Sequence, residues 1–117
     1  MRVYIAGALS SKEKNGRNPS EVVVDYLRNV HSMIAAASAV RHKGYFPYVP
    51  ALDMLLGVGA GDWTEDDYRG IGLEFLEVCD AVLVISLSWG VLQELARAEA
   101  LGIPVYRSLE ELYEAVG

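Results

Sequence analysis

The run AVLVIS at residues 81–86 constrains this chain more than any other segment. It holds no charge and no alternation of polar and apolar positions, so as a strand it offers no face suited to water. Such strands are buried on both sides, as in a parallel sheet with helices packed over each face. The flanking sequence supplies a helix of the right kind. Residues 90–101 place Val91, Leu95, Ala98 and Leu101 on one arc of a helix advancing about 100° per residue. Gly102 stops it, and IPVY at 103–106 follows as another strand.

The rest of the chain keeps the same alternation. RVYIAG (2–7) is a short apolar strand closed by glycine, and the polar segment 8–20 is a surface loop ending where Ser20 can cap a helix. Residues 21–43 carry Val23, Leu27, Val30, Ile34, Ala37 and Val40 at helical spacing, with Gly44 as the stop. YFPYVP (45–50) reads as a strand whose prolines restrict it to an edge or a strand end. The segment 51–62 is a short helix followed by a loop. Thr64 and Asp67 form a capping box that opens a helix through about Val78, and SLEELYEAV (108–116) closes the chain as a helix. With 117 residues, 52% of them hydrophobic, the chain suits one core. The prediction is a single small doubly wound α/β domain over residues 1–117, Rossmann- or flavodoxin-like, with a parallel sheet of four or five strands.

Charge and composition exclude several partners. The formal net charge is −6 and the ten basic residues are scattered, so no stripe tracks a nucleic-acid backbone. The apolar runs are strand-sized, far short of the roughly 20 residues that cross a bilayer. A single cysteine, Cys79, makes no intramolecular disulfide, and with no leader pattern the expected location is the cytoplasm. His31 and His42 fit no metal-ligand spacing, and no metal or cofactor is expected. A small ligand carrying one phosphate remains open, because helix N-termini and backbone amides bind it without a basic patch.

In doubly wound sheets ligands sit beyond the carboxyl ends of the strands, at the switch point of the winding. That directs attention to the loops after YIAG and VLVIS. Ser88 and Gly90 open the 90–101 helix, where the dipole and free amides favour an anion; Ser88 as a plain N-cap and Gly90 as relief of crowding fit the same residues. Trp89 between them suits a lid or an interface. Glu94 breaks the apolar arc one turn later, and a carboxylate there can attack an anomeric carbon. The structural alternative pairs it with Arg97 or a backbone group. Gly7 lets the first loop approach a ligand closely, and Tyr4 on the first strand can orient the carboxylate.

Together VYIAG, GYFPYVP, LEFLEVCDAVLVIS and SWGVLQELARAEALGIPV resemble the nucleoside 2-deoxyribosyltransferase-like superfamily, which includes the 2′-deoxynucleoside 5′-phosphate N-hydrolases. The resemblance covers most of the chain, is weakest at 8–20 and 51–66, and is most specific at Ser88-x-Gly90-x-x-x-Glu94. It implies Glu94 as nucleophile, Ser88 and Gly90 as phosphate or ribose contacts, Tyr4 beside the nucleophile and Gly7 as the backbone approach point. It also implies association into homo-oligomers, for which a small apolar-rich domain with tryptophans near its loops has surface to bury. Family members carry an aspartate, which handles the proton on the leaving base, where this chain has Gly72. The expected function is cleavage or exchange of the N-glycosidic bond of a nucleoside or nucleoside 5′-monophosphate. The alternatives are a non-catalytic nucleotide-binding protein and a phosphoribohydrolase-type enzyme.

Overall fold

The computed structural model describes residues 1–9 and 18–116, so most of the loop expected at 8–20 lies outside the described residues. Strands β1 (Arg2–Ala6), β2 (Phe46–Tyr48), β3 (Ala81–Val84) and β4 (Val105–Tyr106) form a four-stranded sheet in the order β2-β1-β3-β4. Every pairing is parallel, with Val3 opposite Pro47 on one side and Ala81 on the other. The run read as a doubly buried strand is interior, and the proline-containing strand is at an edge, where its missing N–H breaks no ladder.

Helices α1 (Pro19–His42), α2 (Asp53–Ala60), α3 (Glu65–Leu76), α4 (Trp89–Leu101) and α5 (Leu109–Val116) accompany the sheet, with a 3-10 turn at Pro50–Leu52. Alternate strand residues point to opposite layers. Val3, Ile5, Ala81 and Leu83 pack with Met33, Ala36 and Val40 of α1 and Leu112 of α5. Tyr4, Ala6, Val82 and Val84 pack with Leu76 of α3 and Val91 and Ala98 of α4. The sheet is therefore covered on both faces, and each fully buried Val, Leu or Ile contributes about 1.5–3 kcal/mol of transfer free energy. None of the described helices is long and apolar enough to cross a membrane.

Local signals set several boundaries. Thr64 Oγ1 accepts from the Asp67 amide at 3.3 Å while Asp67 Oδ2 accepts from the Thr64 amide at 2.7 Å, a reciprocal capping box. Gly102 caps α4 in the left-handed conformation at φ 73°. Three expectations are corrected. The N-cap of α1 is Asn18, whose Oδ1 accepts from the Glu21 amide at 2.9 Å; Pro19 takes the first helical position and Ser20 lies inside the helix. The buried face of α1 runs through Met33, Ala36 and Val40, leaving Val23, Leu27 and Ile34 exposed. On α4 the buried arc ends at Ala98, and Leu101, beside the Gly102 cap, is exposed.

Candidate functional site

From β1 the chain winds outward to β2, and from β3 it winds the opposite way to β4, so the winding reverses between β1 and β3. The two following loops are tied together there. The Ile85 amide donates to the Ala6 carbonyl at 2.8 Å and the Ala8 amide to Ser86 Oγ at 2.8 Å. Above them opens a cleft of about 480 Å³. Gly7, Ser88, Gly90 and Glu94 all line it, so four of the five residues singled out in the sequence meet in one place.

Each arrives by a local cause. Ser88 is the N-cap of α4, its Oγ accepting from the Val91 amide at 3.2 Å. The amides of Trp89 and Gly90, first in the helix, have no intrahelical acceptor and lie where the dipole favours an anion. A Cβ at Gly90 would meet only Ser88 Oγ at 3.9 Å, so the glycine leaves the cleft open at this point. Gly7 has a different cause. A Cβ there would lie 2.7 Å from Met33 Sδ, so α1 packing demands the glycine, whatever ligand approaches its backbone.

Glu94 sits one turn into α4, and its Oε2 is buried with no hydrogen-bond partner. Arg97 does not satisfy it, being paired instead with Glu77. Burial pushes the Glu94 carboxyl up to about 7, opposed by the nearby Tyr4 hydroxyl. Tyr4 is the fifth expected residue and does not line the cleft; it is wholly buried behind Glu94, between the sheet and α3. Its hydroxyl lies near enough to Glu94 to bear on its ionisation, yet neither Tyr4 Oη nor Glu94 Oε2 completes a hydrogen bond of ordinary geometry. Burial, with the Glu94 charge adding to it, holds the Tyr4 hydroxyl far above the usual tyrosine range, so it stays protonated. Its ring packs on Tyr48, whose hydroxyl donates to Asp53 Oδ2 at 2.6 Å. A core tyrosine and a half-buried carboxylate are thus left with unspent hydrogen-bonding capacity, which costs about 1–3 kcal/mol per group unless a ligand engages it.

Gly72 lies in the same layer, buried on α3. A Cβ there would stand 3.0 Å from Tyr4 Oη. The space that an aspartate at this position would enter is therefore bounded by the tyrosine hydroxyl.

Sequence reasoning missed the far wall of the cleft. Glu65, Tyr68 and Arg69 of α3, Met54 of α2, and Pro50 and Ala51 of the 3-10 turn all line it with Trp89. Tyr68 is seated against α2 at Gly57, where a Cβ would run into its hydroxyl, so the glycine lets the ring approach α2 closely. The Arg69 guanidinium lies over the Trp89 ring, 4.8 Å from its centroid. No spacing within α3 marked these residues; they reach the cleft through the packing of α3 against α4 and α2. Among the described residues no group of three or more His, Cys, Asp or Glu side chains is placed to hold a metal ion. No protein-family model, curated protein or solved structure matches the chain.

Proposed function

We propose that the protein cleaves or exchanges the N-glycosidic bond of a nucleoside or nucleoside 5′-monophosphate, with Glu94 as the nucleophile. The observation that carries this reading is the unpartnered Glu94 Oε2, on a carboxylate lining an open cleft one turn from the capped N-terminus of α4. Leaving a buried carboxylate oxygen without a partner costs stability, and a structural role gives no return for it. As a nucleophile, a carboxylate that lines the cleft can present an oxygen to the anomeric carbon while buried Oε2 stays against Tyr4. Tyr4 restrains the carboxylate from the core side. A phosphate on the Trp89 and Gly90 amides would set the sugar within reach of Glu94. The carboxylate then displaces the base, and water or a second base resolves the glycosyl ester.

Incubation with a panel of nucleosides and 5′-monophosphates, with free base measured by chromatography, tests the reading. Base release is expected to rise with pH through about 7 as Glu94 ionises, and release indifferent to pH in that range would remove Glu94 from the reaction. Calorimetry supplies a second result. A 5′-monophosphate is expected to bind at least about tenfold tighter than its nucleoside, the worth of one charge-assisted hydrogen bond; equal affinities would shift the reading to nucleosides.

One observation favours a second reading, a nucleotide-binding protein without turnover: Tyr4 Oη bounds the position from which a proton donor at residue 72 would act. A protein that binds nucleotides but releases no base from any of them would establish it. We also propose a homo-oligomer in the cytoplasm, a reducing compartment in which the buried Cys79 thiol stays free. Exposed Val23, Leu27 and Ile34 on α1 and Leu55, Leu56 and Val58 on α2 supply apolar surface for association. Sedimentation at micromolar concentration is expected to give a species larger than 12.8 kDa.

A further inference from the structure

We infer that Arg69 receives the departing base as an anion, taking the place of the proton donor that residue 72 does not provide; this rests on the glycosidase reading above. Glu65 and Arg69 of α3 line the cleft, and Gly72 follows about one turn further along the same helix, buried against Tyr4. There Gly72 offers no side chain, and Tyr4 Oη stands 3.0 Å from where a Cβ would be. One turn outward Arg69 brings a fixed positive charge into the cleft that holds Glu94. Its guanidinium is oriented by the Trp89 ring and by Asp66 Oδ1 at 3.6 Å. Asp66 is almost fully exposed, so this i,i+3 pair is weak and leaves most of the charge and several N–H donors for a ligand.

A guanidinium keeps its proton at any working pH, so Arg69 acts by charge and paired hydrogen bonds rather than by proton transfer. As Glu94 bonds to the anomeric carbon, the glycosidic electron pair passes to the base nitrogen, and the base leaves as its anion against Arg69. Water then attacks the anomeric carbon, and the electron pair of the ester bond returns to the Glu94 carboxylate. One proton of that water neutralises the base directly or through solvent, so nucleoside and water give sugar and neutral base. The planar fork best matches an anion whose charge is shared between the glycosidic nitrogen and a neighbouring carbonyl oxygen. The preferred substrates are therefore 2-oxopyrimidine nucleotides, uracil before cytosine because the uracil anion is the more stable.

The test compares uracil release from uridine and 2′-deoxyuridine 5′-monophosphates with nitrophenolate release from p-nitrophenyl glycosides of the same sugar phosphates. Nitrophenolate departs without assistance. Arg69→Ala is expected to slow uracil release about 100-fold while changing nitrophenolate release less than about threefold, with Arg69→Lys between the two. Equal losses on both substrates would make Arg69 a structural or binding residue and overturn the inference. Unchanged uracil release would do the same. Loss of uracil release at alkaline pH in the wild type, with that limb removed by Glu65→Gln, would make Glu65 the proton donor and also overturn it. Wild-type protein that releases nitrophenolate but not uracil overturns this inference alone, whereas release of neither overturns the glycosidase reading with it.

Discussion

Glu94→Gln is expected to slow base release by roughly a thousandfold or more, as removal of a covalent nucleophile does, and at the same time to make the fold more stable. The two effects share one cause. The Glu94 carboxyl titrates near 7 in the folded protein against 4.5 for its ordinary value, because burial disfavours the charged form. Between those values the folded state binds more protons than the unfolded one, so stability falls as pH rises from about 4.5 to 7 and stays lowered above. The shift corresponds to at most about 3 kcal/mol at pH 8. Glutamine is neutral throughout, so the variant should unfold at higher denaturant concentration than wild type at pH 8 and at the same concentration at pH 4. Denaturation followed by circular dichroism at both pH values checks this. A carboxylate that serves the fold gives the reverse: lower stability at pH 8 with base release largely intact.

Gly72→Asp is the second large effect. The substitution places on α3 the carboxylate that the sequence resemblance implies, but its Cβ would lie 3.0 Å from Tyr4 Oη, tight enough that the hydroxyl must give by a few tenths of an ångström. Tyr4 is wholly buried and packed against Tyr48, so it has little room to yield. The new carboxylate also enters a layer that already holds Glu94. We expect a loss of several kcal/mol, roughly 10 °C or more in Tm, and no gain in base release. Gly72→Ala isolates the steric part, at about 1–3 kcal/mol, and the Tyr4→Phe background should recover much of it by withdrawing the hydroxyl. A Gly72→Asp protein as stable as wild type would show that the layer has space that these contacts deny.

The contrast between what was legible in the sequence and what was not follows the range of the interactions. Thr64 with Asp67, Ser88 with the Val91 amide, and Gly102 all act within one helical turn, so residue type and spacing sufficed to place three helix ends. The AVLV core of β3 was legible because no polar residue interrupts it. Glu94 stood out as a charge on an apolar arc. On α1 the expected apolar set divides between two stripes, with Val40 buried and Ala37 packed on the core. Val23, Leu27 and Ile34 form the more hydrophobic one, yet the sheet takes Met33, Ala36 and Val40, with the small Ala36 letting the helix approach closely. Arg69 and Tyr68 came to the site only through the docking of α3 beside α4 and α2, which no local spacing records. Gly7 was read as room for a ligand, whereas the side chain that needs the room is Met33, 26 positions along the chain.

The distribution of burial along α1 divides it for solvent exchange. None of its residues before Met33 is fully buried, so about 14 residues, or roughly 21 Å of helix, run with one flank in water. Amides from about 22 to 32 should exchange deuterium by local fraying, at rates set by helix propensity and by the contacts of Tyr26 with Met54 and of Asn29 with the Leu9 carbonyl. Amides from 37 to 42 exchange only when the sheet opens. A second chain seated on Val23, Leu27 and Ile34 would slow the first group alone and only at concentrations where the pair forms, which makes exchange in this half of α1 a residue-level gauge of self-association.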